Sequence, residues 1–161
     1  MEKPSTQELT ELTDRELIDL RIMVEVELGR RGISFNVGEI GESICLKYFN
    51  STAGLPNLLQ APKGAKNVDA LSRDGDRYSI KTFMKAKKTG TIYPDTGDEN
   101  KQLFEYLVIV RLSKYYSSEA IYRFSWKQFV NLRCWDKRMN AWYVPLSKKN
   151  LAVAEIIQNE S

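Results

Sequence analysis

Asn67-Val68-Asp69-Ala70-Leu71-Ser72-Arg73-Asp74-Gly75-Asp76-Arg77-Tyr78-Ser79-Ile80-Lys81-Thr82 reads as two short strands joined at Asp74-Gly75. The turn needs a positive φ that glycine supplies at little cost, and alternating apolar runs flank it, so a β-hairpin is expected. The hairpin brings Asp69 close to Lys81, although twelve positions separate them. A carboxylate able to hold a metal ion, beside an ammonium able to meet a phosphate, is the chemistry of a hydrolytic phosphodiester site. The competing reading is a plain Asp–Lys pair across a hairpin.

Outward from the hairpin, the chain alternates helix and strand signals. Thr13-Asp14-Arg15-Glu16 has capping-box spacing, and the apolar positions from Leu17 to Leu28 extend a helix over about 13–31, stopped by Gly32. A second helix begins near Val37-Gly38-Glu39 and turns Ile40, Ile44, Cys45, Tyr48 and Phe49 inward. Residues 50–66 hold Gly54, Pro56, Pro62 and Gly64 and read as a long loop. Glu105–Leu112 is a continuous apolar run, as in a strand buried on both faces. Ala120–Phe124 reads as its neighbour or hairpin partner, and Ser125 as the N-cap of a helix. Asn140–Pro145 reads as an edge strand and 147–158 as a closing helix, while Lys85–Asn100 reads as an exposed, mobile loop. One domain over 1–161, with its core over about 37–146 and a sheet of about five strands, is the expected architecture.

Composition narrows the chemistry. The 161 residues include no histidine, which removes imidazole acid–base catalysis and His-containing zinc sites. Cys45 and Cys134 are the only cysteines, too few for a disulfide framework or a cysteine zinc site, and are expected as buried free thiols. Catalysis must then rest on carboxylates, lysine, hydroxyls and a hard cation, Mg2+ or Mn2+. The net charge of +3 says little, but Lys63, Lys66, Lys81, Lys85, Lys87 and Lys88 crowd around the hairpin while acids gather in the first thirty residues. Such a field suits a polyanion, and a solvated lysine face is the alternative. No apolar run is long enough to span a bilayer, the opening residues lack a secretory pattern, and a cytoplasmic location is expected.

Gly38-Glu39-Ile40-Gly41-Glu42-Ser43, then Asp69, then Gly75-Asp76-Arg77-Tyr78-Ser79-Ile80-Lys81 together resemble the PD-(D/E)XK, restriction-endonuclease-like superfamily, and within it small prokaryotic nuclease-like domains. The likeness covers roughly residues 37–130 and rests on a short, degenerate motif supported by element order. It implies an α/β fold with a mixed α+β sheet, in αβββαβ order with an extra N-terminal helix. It also implies a DNA endonuclease in which Asp69, Glu42, Glu39 and the Ile80 carbonyl hold magnesium, with Asp69, Lys81, Glu42 and Ser79 at the reacting centre. Lys63, Lys66, Lys85, Lys87 and Lys88 would meet DNA phosphates, and a homodimer would cut both strands. The usual acid two positions before the lysine is Ser79 here, so either the helix glutamates replace it or the chain is a DNA-binding module that has lost catalysis.

Register sets a sharp condition. A two-residue Asp74-Gly75 turn pairs Asp69 with Ile80 and sends Lys81 to the opposite face. A three-residue Asp74-Gly75-Asp76 loop, or one bulge, pairs Asp69 with Lys81. The nuclease reading needs that shift.

Overall fold

The computed structural model describes residues 3–159. Its N-terminal arm holds α1 (Thr6–Thr10) and α2 (Asp14–Arg30). The Thr13 hydroxyl accepts from the Glu16 N–H and the Glu16 carboxylate returns to the Thr13 N–H, as the capping-box spacing predicts. Helix α3 (Val37–Ser51) starts at Asn36, whose side chain accepts from the Glu39 N–H. It turns Gly41, Cys45 and Phe49 into the core at the four-residue spacing of one helix face.

Six strands form the sheet in the order β1 (Leu58–Gln60), β2 (Ala70–Ser72), β3 (Arg77–Phe83), β4 (Tyr106–Leu112), β5 (Ser118–Ser125) and β8 (Glu155–Asn159). Among the described residues only β3 and β4 run parallel, so the class is mixed α+β, as expected. Helix α3 covers one face, where Cys45 and Phe49 pack on Tyr78, Ile80, Val108 and Val110. The other face buries Phe83, Leu107, Ile109 and Phe124 against Phe104, Ile92 and Phe129 of α4 (Trp126–Leu132). Ser125 caps α4 through another capping box, with Gln128.

Several sequence expectations give way here. The loop over 50–66 contains β1, whose first residue is held by Asn50: its amide donates to the Leu58 carbonyl and its Oδ1 accepts from the Leu58 N–H. The sheet has six strands rather than about five. The closing helix ends after one turn, α5 (Lys148–Leu151), and the chain becomes β8. The open edge of β5 accounts for this, because an unpaired row of buried-strand amides outweighs helix periodicity in a segment carrying Ile156-Ile157. Arg123 Nε and Nη2 both donate to Glu155 Oε2, at 3.0 and 2.6 Å. Asn140–Pro145 does not join the main sheet: β7 (Ala141–Tyr143) pairs with an unanticipated β6 (Cys134–Asp136) in a separate ribbon.

The Lys85–Asn100 segment is not a free exposed loop either. The Thr89 N–H donates to the Val144 carbonyl, Ile92 and Trp142 exchange both backbone hydrogen bonds, and Thr89 and Ile92 are buried. Its Ile92, fully buried on the α4 face of the sheet, is part of the cover that a helix usually supplies in a parallel crossover.

Candidate active site

The hairpin does not take the register that pairs Asp69 with Lys81: Ala70 pairs with Tyr78, and the Asp69 charge reaches Lys81 by a route the sequence did not show. The loop is Arg73-Asp74-Gly75: the Gly75 N–H donates to the Ser72 carbonyl, the Ser72 N–H to the Asp76 carbonyl, and Gly75 takes φ 86°. This is the three-residue hairpin with glycine in the left-handed position, one residue earlier than the loop expected at Asp74-Gly75-Asp76. Ala70 pairs with Tyr78, yet the Asp69 N–H also donates to the Tyr78 carbonyl. Two residues thus oppose one, the pattern of a β-bulge, and such bulges re-aim side chains.

Asp69 is re-aimed onto the strand beside it. The β2 ladder stops at Tyr78, and the Ile80 N–H donates instead to Asp69 Oδ2 at 2.7 Å. The carboxylate stands where the next strand carbonyl would be. In an extended residue the N–H and C=O point the same way, so the Ile80 carbonyl faces the same vacated edge.

Two more titratable groups converge on Asp69, from opposite faces of the sheet. Glu42, half-buried on α3, has its carboxyl pKa raised by burial, then by the Asp69 charge and by Glu39, against a lowering contact from Gln60. That contact runs from Gln60 Nε2 to Glu42 Oε1 at 3.4 Å. Lys81 shares its face of β3 with Ser79 and Phe83, away from α3. Burial pulls its ammonium pKa down and the Asp69 charge partly restores it, while Nζ donates to the Thr91 carbonyl at 3.2 Å. Asp69 is the charge common to both shifts.

Glu42, Asp69 and Glu39 line one cleft of about 800 Å3, between the start of α3 and the Ala61–Ala65 loop, with Lys63 also in its wall. Glu39 is exposed, and among the described residues no three or more carboxylate, cysteine or histidine groups cluster closely enough to hold a metal ion. Glu39, Glu42 and Asp69 therefore do not assemble as a ready three-carboxylate set. The two closer acids still suit a hard cation: both offer oxygen, and their mutual repulsion is relieved by positive charge.

The remaining expected residues divide. Ser79 is 1% exposed, in the sheet interior. Lys66, Lys85 and Lys87 are exposed, and Lys66 Nζ donates to the Pro94 carbonyl at 3.4 Å. Lys88 lies 3.3 Å from Asp136 and over the Tyr143 ring, which ties it to the β6–β7 ribbon. The tryptophans pack rather than stand free: Trp126 against Phe104 and Phe129, Trp135 against Trp142. Both cysteines are free thiols; Cys45 is fully buried but Cys134 only half so. Burial and the neighbouring Glu42 and Asp69 push the Cys45 thiol up to about 12, which leaves it unreactive.

Three contributors were missed in the sequence. Gln60 carried no signal. Thr91 acts through its main chain, which residue type does not reveal. Gly41 did carry one: a glycine inside a helix marks close backbone approach. A Cβ there would fall 1.9 Å from Thr82 Oγ1, so glycine lets α3 sit directly on β3 and delivers Glu42 to the cleft.

No protein-family model matches this chain, and no curated protein matches it significantly.

Proposed function

We propose that the chain is a metal-dependent DNA endonuclease hydrolysing phosphodiester bonds on a restriction-endonuclease-like core, serving restriction, defence or DNA repair. The observation that carries this reading is Asp69: its carboxylate is locked on the Ile80 N–H at a bulged strand end, with Glu42 and Lys81 both within its electrostatic reach. A half-buried acid pair beside a desolvated lysine is costly to the fold and useful to catalysis.

Glu42 and Asp69, with the Ile80 carbonyl beside them, are the residues that would hold Mg2+ or Mn2+. Bound there, the ion supplies phosphate-charge neutralisation and a water acidic enough to attack at neutral pH. Asp69 contributes a fixed carboxylate, because one oxygen is already held by the backbone. Lys81 orients the attacking water and stabilises charge developing on the phosphate, more strongly in its half-buried position than it would in bulk water. Lys63 at the cleft, with exposed Lys85 and Lys87, meets the DNA backbone without reading sequence. Two such sites in a homodimer would cut both strands.

A second reading has its own support. Ser79 is buried where an acid is usual, and Lys81 Nζ is engaged by the Thr91 carbonyl, which suits a DNA-binding module without catalysis. Supercoiled plasmid incubated with Mg2+ or Mn2+ separates the two. Nicking or linearisation by wild type, lost in Asp69→Ala, is the expected result. Salt-sensitive DNA retention with no cutting by wild type would transfer the assignment to the binding module.

A further inference from the structure

The α2 helix is rich in apolar side chains that the rest of the fold leaves uncovered. Leu17, Ile18, Ile22, Met23, Val24 and Val26 are 39–68% exposed, and α2 has no buried residue. Neither hydrophobic cluster of the sheet draws a member from it. Ile18, Ile22 and Val26 follow one another at four-residue spacing and make a continuous stripe. Isolated helices are marginal in water, so a well-capped helix with such a stripe is completed by packing on something.

Surface area sets the size of what is missing. A compact monomer of 18.6 kDa exposes about 8,200 Å2. This chain exposes 11126 Å2. The excess, about 2,900 Å2, is ample for the roughly 800 Å2 per partner of a stable interface.

Charge identifies the occupant. The first turns of α2, Asp14–Asp19, hold three acids and one arginine, whereas Arg21–Arg31 holds three arginines and two acids. The acidic end of α2 therefore complements the basic end of a second α2 laid antiparallel, and a parallel partner would set acid against acid. Antiparallel pairing is also what a two-fold, self-complementary interface requires. We infer that α2 is the dimerisation element of this protein and that its occupant is a second copy of the same chain, paired antiparallel along the Ile18–Ile22–Val26 stripe. The pairing stands independently of the proposed nuclease activity.

Sedimentation equilibrium of the full chain at tens of micromolar tests it. Wild type is expected at twice 18.6 kDa, and Ile22→Glu/Val26→Glu at the monomer mass. The near-ultraviolet circular dichroism of Trp126, Trp135 and Trp142, none of which lies on α2, reports that the variant core is folded. Arg30→Glu/Arg31→Glu is expected to weaken the dimer at least tenfold, and adding Glu11→Lys/Asp14→Lys to restore it. A monomeric wild type, or a dimer indifferent to Ile22→Glu/Val26→Glu, would overturn the proposal. Further weakening on the second charge reversal would overturn the antiparallel arrangement.

Discussion

Arg77 and Lys81 lie on the same face of β3, four residues apart, and their surroundings treat charge in opposite ways. Arg77 meets Glu105 through two side-chain contacts, at 3.0 and 2.8 Å, and its backbone N–H adds a third at 2.6 Å. The hydrogen bonds from Arg77 hold the Glu105 carboxyl below its usual range. Lys81 and Glu42 are shifted the other way: burial disfavours the charged form of each, and Asp69 relieves one while aggravating the other. The first pair is complete and holds strands together. The second group is left with unmet electrostatic demand, the state in which a site accepts a cation and a phosphate.

Asp69 and Lys81 are where this contrast breaks most completely. Asp69→Ala or Lys81→Ala is expected to lower plasmid cleavage by at least about 100-fold, the scale of removing one electrostatic contributor in a desolvated site. Lys81→Ala removes no core side chain, so its urea midpoint should hold, whereas Asp69→Ala also leaves the Ile80 N–H unpaired and is expected to cost about 1–3 kcal/mol. Retained cleavage in either variant would sink the assignment.

Gly41→Ala comes next, because it attacks the packing that positions Glu42. The added Cβ has no room beside Thr82, so overpacking is expected to cost about 1–3 kcal/mol in urea denaturation and to lower cleavage as α3 is pushed off β3. Unchanged stability would show that α3 can slide without consequence.

On the closed side, Glu105→Ala is expected to cost about 1–3 kcal/mol, since it leaves the Arg77 N–H and guanidinium unpaired, with cleavage preserved. Its pH signature is distinct. A carboxyl with folded pKa below 4.5 stabilises above that value, and the contribution disappears as pH falls through the folded pKa. The stability difference between wild type and variant should shrink there.

The smallest effect has the opposite sign. Glu42 has a folded pKa above 4.5, so the native form retains a proton that the unfolded chain has released, and stability falls as pH rises above 4.5. Glu42→Gln is therefore expected to stabilise at pH 7 by less than about 1 kcal/mol, because the group is partly solvated. The gain should fade on acidification, and cleavage should drop. A destabilised Glu42→Gln would place Glu42 among structural acids.

Local signals were strong enough to read wherever the chain's own neighbours decide the outcome. Thr13 and Glu16, or Ser125 and Gln128, cap a helix within four residues, and the Tyr106–Leu112 run is apolar enough to be a buried strand in any context. Asp69, Lys81 and Glu42 were legible as candidates because their residue types and order carry the chemistry. Long-range partners settled the remainder. Leu58–Gln60 and Glu155–Asn159 are strands because β2 and β5 each offered an open edge, and a backbone amide has no residue-type signature. The same reason hid the bulge at Asp69, the Thr91 carbonyl under Lys81 and the crossing of Gly41 over Thr82. Side-chain type and short-range spacing lie in the sequence; which backbone groups meet across the sheet, and so which way Asp69 points, exists only once the chain has closed on itself.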